Sequence, residues 1–164
     1  MARWIALIFL LLAQPAWGWD LDPKLEPLRP FLGKVWRGEF SDSTPEKPVI
    51  DVSQWQPALQ GKAVRITHSL NKGQYEGETM MVWDEQAKSL VFYYFTTAGF
   101  YTKGTAYAKD GVFYFHEQVA GAGEGIKEVR SEVRLVDGEM HQQAYYLKNG
   151  DWVKGHSAIY QAVH

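Results

Sequence analysis

A chain of 164 residues with no cysteine and a formal charge of −2 holds its fold without disulfides, and it offers no basic block for nucleic acid or an anionic membrane surface. Its length allows one ordinary domain. Its aromatic share of 15% suits a closed sheet with a broad interior, filled or lined by rings.

The first residues read as a targeting segment. Arg3 supplies a positive start, Trp4 to Ala13 is an apolar run of ten residues, and Ala16-Trp17-Gly18 places small residues at −3 and −1 of a cleavage site. Ten apolar residues fall short of the roughly 20 that span a bilayer. Residues 1–18 are therefore expected to be a signal peptide, and residues 19–164 an exported, periplasmic or secreted domain with no membrane span after cleavage. Losing Arg3 moves the formal charge from −2 to −3.

Asp20 to Pro30 carries three prolines and reads as a lead-in, with a helical turn around Lys24 to Leu28. Strands follow at Phe31 to Phe40, Val49 to Gln56 and Lys62 to Asn71. The third alternates cleanly, with Val64, Ile66, His68 and Leu70 on one face. Lys72-Gly73 signals a hairpin into Tyr75 to Trp83. The most aromatic stretch comes next, as two strands, Ser89 to Thr97 and Phe100 to Ala108, bent at Gly99. Asp110-Gly111 turns into Val112 to Val119, and Gly121, Gly123 and Gly125 make a flexible connection. Ile126 to Val136 puts Val129, Val133 and Leu135 on its apolar face. Asp137-Gly138 and Asn149-Gly150 then turn into Glu139 to Leu147 and Asp151 to Gln161.

The sum is about ten strands joined mostly by tight turns, which predicts an all-β, antiparallel up-and-down arrangement. Closure into a single barrel removes the exposed edges of so long a sheet. A sandwich would need crossovers that these connections do not offer.

Gly33-Lys34-Val35-Trp36-Arg37-Gly38 at the head of such a meander resembles the entry strand of calycin-type barrels, lipocalins and nitrobindin-like proteins among them. Gly77-Glu78-Thr79, Tyr94 to Thr102 and Tyr146 to Trp152 are similar to an uncharacterised bacterial family of small, often exported lipocalin-like proteins. The resemblance implies a closed barrel with a lipophilic interior and Trp36 sealing its floor. It implies no reaction. The last strand lacks the arginine that packs over the entry tryptophan in lipocalins. By the same resemblance His156 lies where nitrobindin-like proteins hold haem, without the surrounding motif; haem is thus a secondary expectation and no other cofactor is expected.

Motif reading excludes much chemistry. There is no Gly-x-Ser-x-Gly elbow, P-loop or His-Glu-x-x-His, and Gly121 to Gly125 has no helix behind it to bind phosphate. None of His68, His116, His141, His156 and His164 has a metal-diagnostic spacing. His68 is the best inward-facing histidine, either as a ligand contact or as a hydrogen-bonded core residue. Glu117 shares a face with Phe113, Phe115 and Val119. If that face is inward, the carboxyl needs a partner such as Arg65 or a ligand donor; in the opposite phase His116 points in. Tyr94, Tyr101, Tyr145 and Trp152 are candidates to line a pocket with apolar walls and a few polar groups.

Three functions fit this pattern. The first is a binding barrel for a small lipophilic molecule, through His68, Tyr94, Tyr101, Glu117, Tyr145 and Trp152. The second is an enzyme using His68 and Glu117 as an acid–base pair. The third is a structural envelope module, whose sign would be an exposed apolar patch.

Overall fold

The computed structural model describes residues 20–120 and 126–163. The expected signal peptide, the glycine connection 121–125 and His164 lie outside the described residues.

A 3-10 turn, Glu26–Phe31, precedes ten strands: β1 (Val35–Phe40), β2 (Ile50–Ala58), β3 (Ala63–Leu70), β4 (Tyr75–Asp84), β5 (Ser89–Thr96), β6 (Tyr101–Lys109), β7 (Val112–Ala120), β8 (Glu128–Val136), β9 (Glu139–Lys148) and β10 (Asp151–Val163). Each strand pairs antiparallel with the next, and β1 closes on β10 from Val35↔Val163 to Phe40↔Ala158. The protein is therefore a single closed, ten-strand antiparallel barrel, as the hairpin spacing predicts. Three connections are two-residue turns with both residues in the left-handed region: Asp110-Gly111 (φ 51° and 77°), Asp137-Gly138 (51° and 86°) and Asn149-Gly150 (54° and 92°). That backbone matches the twist of the flanking strands, so it sets each register.

Several boundaries differ from the sequence reading by a residue or two, and the start of β1 by more. The first strand begins at Val35, not Phe31. Phe31 completes the 3-10 turn, and Gly33 (φ 73°) turns the chain into the wall. β2 runs on to Ala58, after which Leu59–Gly61 makes a second 3-10 turn. β10 continues to Val163.

The 3-10 turn is a plug. Leu25 and Leu28 are fully buried and pack with Leu21, Phe31, Trp36, Val64, Met81 and Leu90 at one end of the barrel. Trp36 is fully buried and donates its indole N–H to the Phe31 carbonyl at 2.9 Å. The plug is tied to the wall by Asp22 N–H to Gly61 O and Gly33 N–H to Trp55 O, both 2.9 Å. Gly61 has no substitute there, since a Cβ would lie 2.2 Å from the Asp20 carbonyl oxygen. The β1–β2, β3–β4, β5–β6, β7–β8 and β9–β10 connections lie at the other end, where the barrel is open.

β10 does not keep one phase. Its register against β9 shifts by one residue between Lys154 and Ser157. A bulge of this kind re-aims every side chain beyond it. Beyond it Ala158 and Tyr160 face inward with Gln142 and Met140; before it Trp152 pairs with Leu147 and faces outward.

Candidate functional site

The open half of the barrel holds a cavity of about 490 Å³. Its apolar walls include Trp55, Ile66, Phe92, Phe100, Phe115, Val133 and Met140. Its polar groups are Asp51 and Ser53 from β2, His68 from β3, Tyr75 and Thr79 from β4, Tyr94 from β5, Thr102 from β6, Glu117 from β7, Ser131 from β8, Gln142, Tyr146 and Lys148 from β9, and His156 and Tyr160 from β10. A cavity of this volume, with apolar walls and these polar groups converging on it, is large enough to hold a small molecule. A second hollow lies on the outer wall between Arg37, Glu39, Glu132, Arg134 and His141.

His68 is the hub of that network. Its Nδ1 lies 2.9 Å from Asp51 Oδ1, and its Nε2 2.8 Å from the Tyr94 hydroxyl. Asp51 accepts a second bond from the Tyr160 hydroxyl at 3.0 Å, and the Tyr94 and Tyr75 hydroxyls are 2.9 Å apart. Asp51 accepts from both sides, which places a proton on His68 Nδ1. The Nε2, Tyr94 and Tyr75 groups continue the chain toward the barrel mouth. Burial pushes the Tyr94 and Tyr160 hydroxyls far above the ordinary tyrosine range, so both stay protonated donors.

Strand glycines make this geometry possible. A Cβ on Gly77 would lie 2.2 Å from Tyr94 Cε2 and 2.6 Å from His68 Nε2. Gly38 gives the same room to the Tyr160 ring and Gly155 to the Tyr146 ring. A glycine inside a strand marks close approach, and here the approaching group is each time a tyrosine of the site.

Glu117 stands apart from the hub. Thr102 Oγ1 donates to its Oε2 at 2.7 Å, and Oε1 has no protein partner among the described residues. Burial pushes its carboxyl above the ordinary range, with Thr102 opposing. The inward phase of β7 is thus the one carrying Phe113, Phe115 and Glu117, while His116 is outside, 2.7 Å from Glu128. Arg65 is not the partner of Glu117: it faces outward, paired with Glu78 at 2.8 Å. His68 and Glu117 line the same cavity but do not bond to each other.

His156 sits within the bulge, stacked on Phe40 with centroids 4.8 Å apart. Its Nδ1 is bonded to the Tyr146 hydroxyl, and Nε2 takes no protein hydrogen bond among the described residues. Burial depresses its pKa below the usual histidine value, so the ring is neutral. Burial likewise raises the Tyr146 hydroxyl.

The cavity therefore contains four of the residues singled out from sequence, His68, Tyr94, Glu117 and His156. Tyr101, Tyr145 and Trp152 lie outside it. Tyr101 is 47% exposed, in an outer strip with Phe95 and Tyr93, because Thr102 takes the inward phase of β6. Tyr145 shares the outer phase of β9 with Leu147. Trp152 is turned out by the bulge and packs under the Arg130 guanidinium, 4.0 Å from the ring centroid. Sequence reasoning passed over Asp51, Tyr75, Thr102, Tyr146 and Tyr160. Gly38 and Gly155, which make room for the Tyr160 and Tyr146 rings, were the available signal for two of them.

No family profile and no curated protein matches this chain. Among solved structures it is similar to Rv2717c from M. tuberculosis, known by crystal structure, with a TM-score of 0.64 and 13% identity over 88% of this chain and 100% of that one. At that identity the likeness speaks for the barrel fold alone. The β-barrel can hold a ligand; which one is argued from the cavity.

Proposed function

We propose that this protein is an exported, lipocalin-like binding barrel that holds a small lipophilic molecule in its interior. The observation that carries the reading is the cavity of about 490 Å³, whose aromatic and aliphatic walls surround a hydrogen-bonded set of polar groups. His68, Tyr94 and Glu117 would contact the ligand, with Asp51 and Gly77 holding the first two in place. Apolar burial would supply affinity, and the hydrogen-bond network would set orientation.

A specific observation favours haem as a second reading. His156 lines the cavity, is neutral, is held through Nδ1 by Tyr146, and has no protein hydrogen bond on Nε2 among the described residues. A neutral imidazole fixed through its other nitrogen is what a metal ligand requires. His156 would hold the iron, and Phe40 would orient the imidazole by stacking. The bound group would supply iron redox or gas-binding chemistry.

The test is native mass spectrometry of the protein purified from its own periplasm without detergent, with an absorbance spectrum of the same sample. A bound organic mass without visible absorbance is the expected result. A Soret band lost in His156→Ala would establish the haem reading instead. An empty protein that also takes up no apolar dye would end the binding reading.

A further inference from the structure

The polar groups of the cavity are not a balanced set. Among the described lining residues, the side chain of fixed positive charge is Lys148, which is exposed at the open end. Two carboxyl groups lie deeper, Asp51 and Glu117. Asp51 is satisfied by His68 and Tyr160, at 2.9 and 3.0 Å. Glu117, which lines the cavity, is not: Thr102 serves Oε2, and Oε1 has no protein donor among the described residues.

An ionised carboxyl oxygen accepts hydrogen bonds only, so the unfilled position at Glu117 Oε1 asks for a donor. A buried carboxylate lacking a partner is costly, and an opposing cation at hydrogen-bond distance offsets that cost.

We infer that the cavity takes a lipophilic amine, with its ammonium head on Glu117 Oε1 and its hydrocarbon body among Phe92, Phe115, Trp55 and Met140. The inference rests on the binding reading above and names the ligand class. A fatty carboxylate would bring a second negative charge beside Glu117, and Lys148 could answer it only at the mouth, where water screens the pair. The head-group chemistry of the ligand, rather than its chain, is then what this barrel selects.

The test uses three probes with one chain length, dodecylamine, dodecanol and dodecanoic acid, below their aggregation limits. Each competes for the full-length protein with N-phenyl-1-naphthylamine, an uncharged fluorescent reporter. Dodecylamine is expected to displace the reporter at roughly tenfold lower concentration than dodecanoic acid, the scale of a desolvated charge pair, with dodecanol between them. Glu117→Gln should bring the amine down to the alcohol. Equal or better binding of the acid by the unaltered protein overturns the inference, whatever the variant does, and leaves the binding barrel standing. An amine preference that survives in E117Q, with circular dichroism confirming the fold, also overturns it. Failure of the reporter and all three probes removes the binding reading and this inference together.

Discussion

At the closed end, β1, β3 and β4 bring Trp36, Val64 and Met81 together under the leucines of the plug, all fully buried. At the open end the same three strands bring Phe40, His68 and Tyr75 to the cavity, and none of these is fully buried. The change takes place within one strand length. Toward the plug the inward phase is apolar and its contacts are dispersion and water release. Toward the mouth the inward phase carries hydroxyls, imidazoles and carboxyls, whose contacts are directional. One half of the barrel supplies stability that the other half uses to hold polar groups away from bulk water. Changes at the two ends should therefore read out in different measurements.

The largest effect is expected at the closed end. Trp36→Ala removes a fully buried indole and its bond to Phe31, and should cost about 3–5 kcal/mol. Urea denaturation followed by circular dichroism checks this. Where the variant is still folded, the His68 ring resonances should be unchanged, because the Trp36 indole bonds Phe31 and not His68 or its partners. A loss below about 1 kcal/mol would mean that the plug, not Trp36, seals the barrel.

Gly77→Ala should break the other end at a lower cost. The new methyl would stand 2.2 Å from the Tyr94 ring and 2.6 Å from His68 Nε2. The rigid ring must swing away, so the bonds from Tyr94 to His68 and from Tyr75 to Tyr94 are lost together. Overpacking of this kind costs about 1–3 kcal/mol. The sharper readout is NMR: the His68 ring signals should move, in contrast to Trp36→Ala. An unshifted His68 in a folded Gly77→Ala protein would mean that Tyr94 does not bond it.

The barrel was legible because its information is local. Asp-Gly and Asn-Gly turns fix hairpins one at a time, and β3 and β8 alternate so cleanly that their inward faces could be read directly. β2 shows where local reading stops. Its inward phase is Asp51, Ser53 and Trp55, while Val52 on the outward phase is 38% exposed. Hydropathy on that strand points the wrong way, so Asp51 was not legible as a site residue. A second failure has a different cause. Trp152 and His156 have the same parity in the sequence, and only the register slip between Lys154 and Ser157 separates a cavity residue from an exterior one. A bulge leaves little trace in composition beyond Gly155, whose missing Cβ admits the Tyr146 ring. The pairing of distant groups, Asp51 with Tyr160 above all, follows from barrel closure and has no signal in a single sequence.

The smallest effect sharpens the comparison most, because it has a sign and a pH window. Burial raises the Glu117 carboxyl above its ordinary value of 4.5, so the folded state favours the protonated form more than the unfolded state does. The folded state then holds more protons than the unfolded one between that value and the raised one, and stability falls as pH rises across the interval. Below the ordinary value both states are protonated and nothing is lost. Glu117→Gln is neutral throughout and escapes the fall. It should therefore match the natural protein near about pH 4 and exceed it near about pH 8, in contrast to Trp36→Ala, whose deficit should not depend on pH. Thermal unfolding across that range checks this, and a difference that stays constant with pH would mean the carboxyl is not held in a desolvated place. Adding dodecylamine at the upper pH should reverse the order. The ammonium stabilises the ionised carboxylate of the natural protein and has no counterpart in the glutamine variant, so the group that weakens the empty barrel is the one that strengthens the filled one.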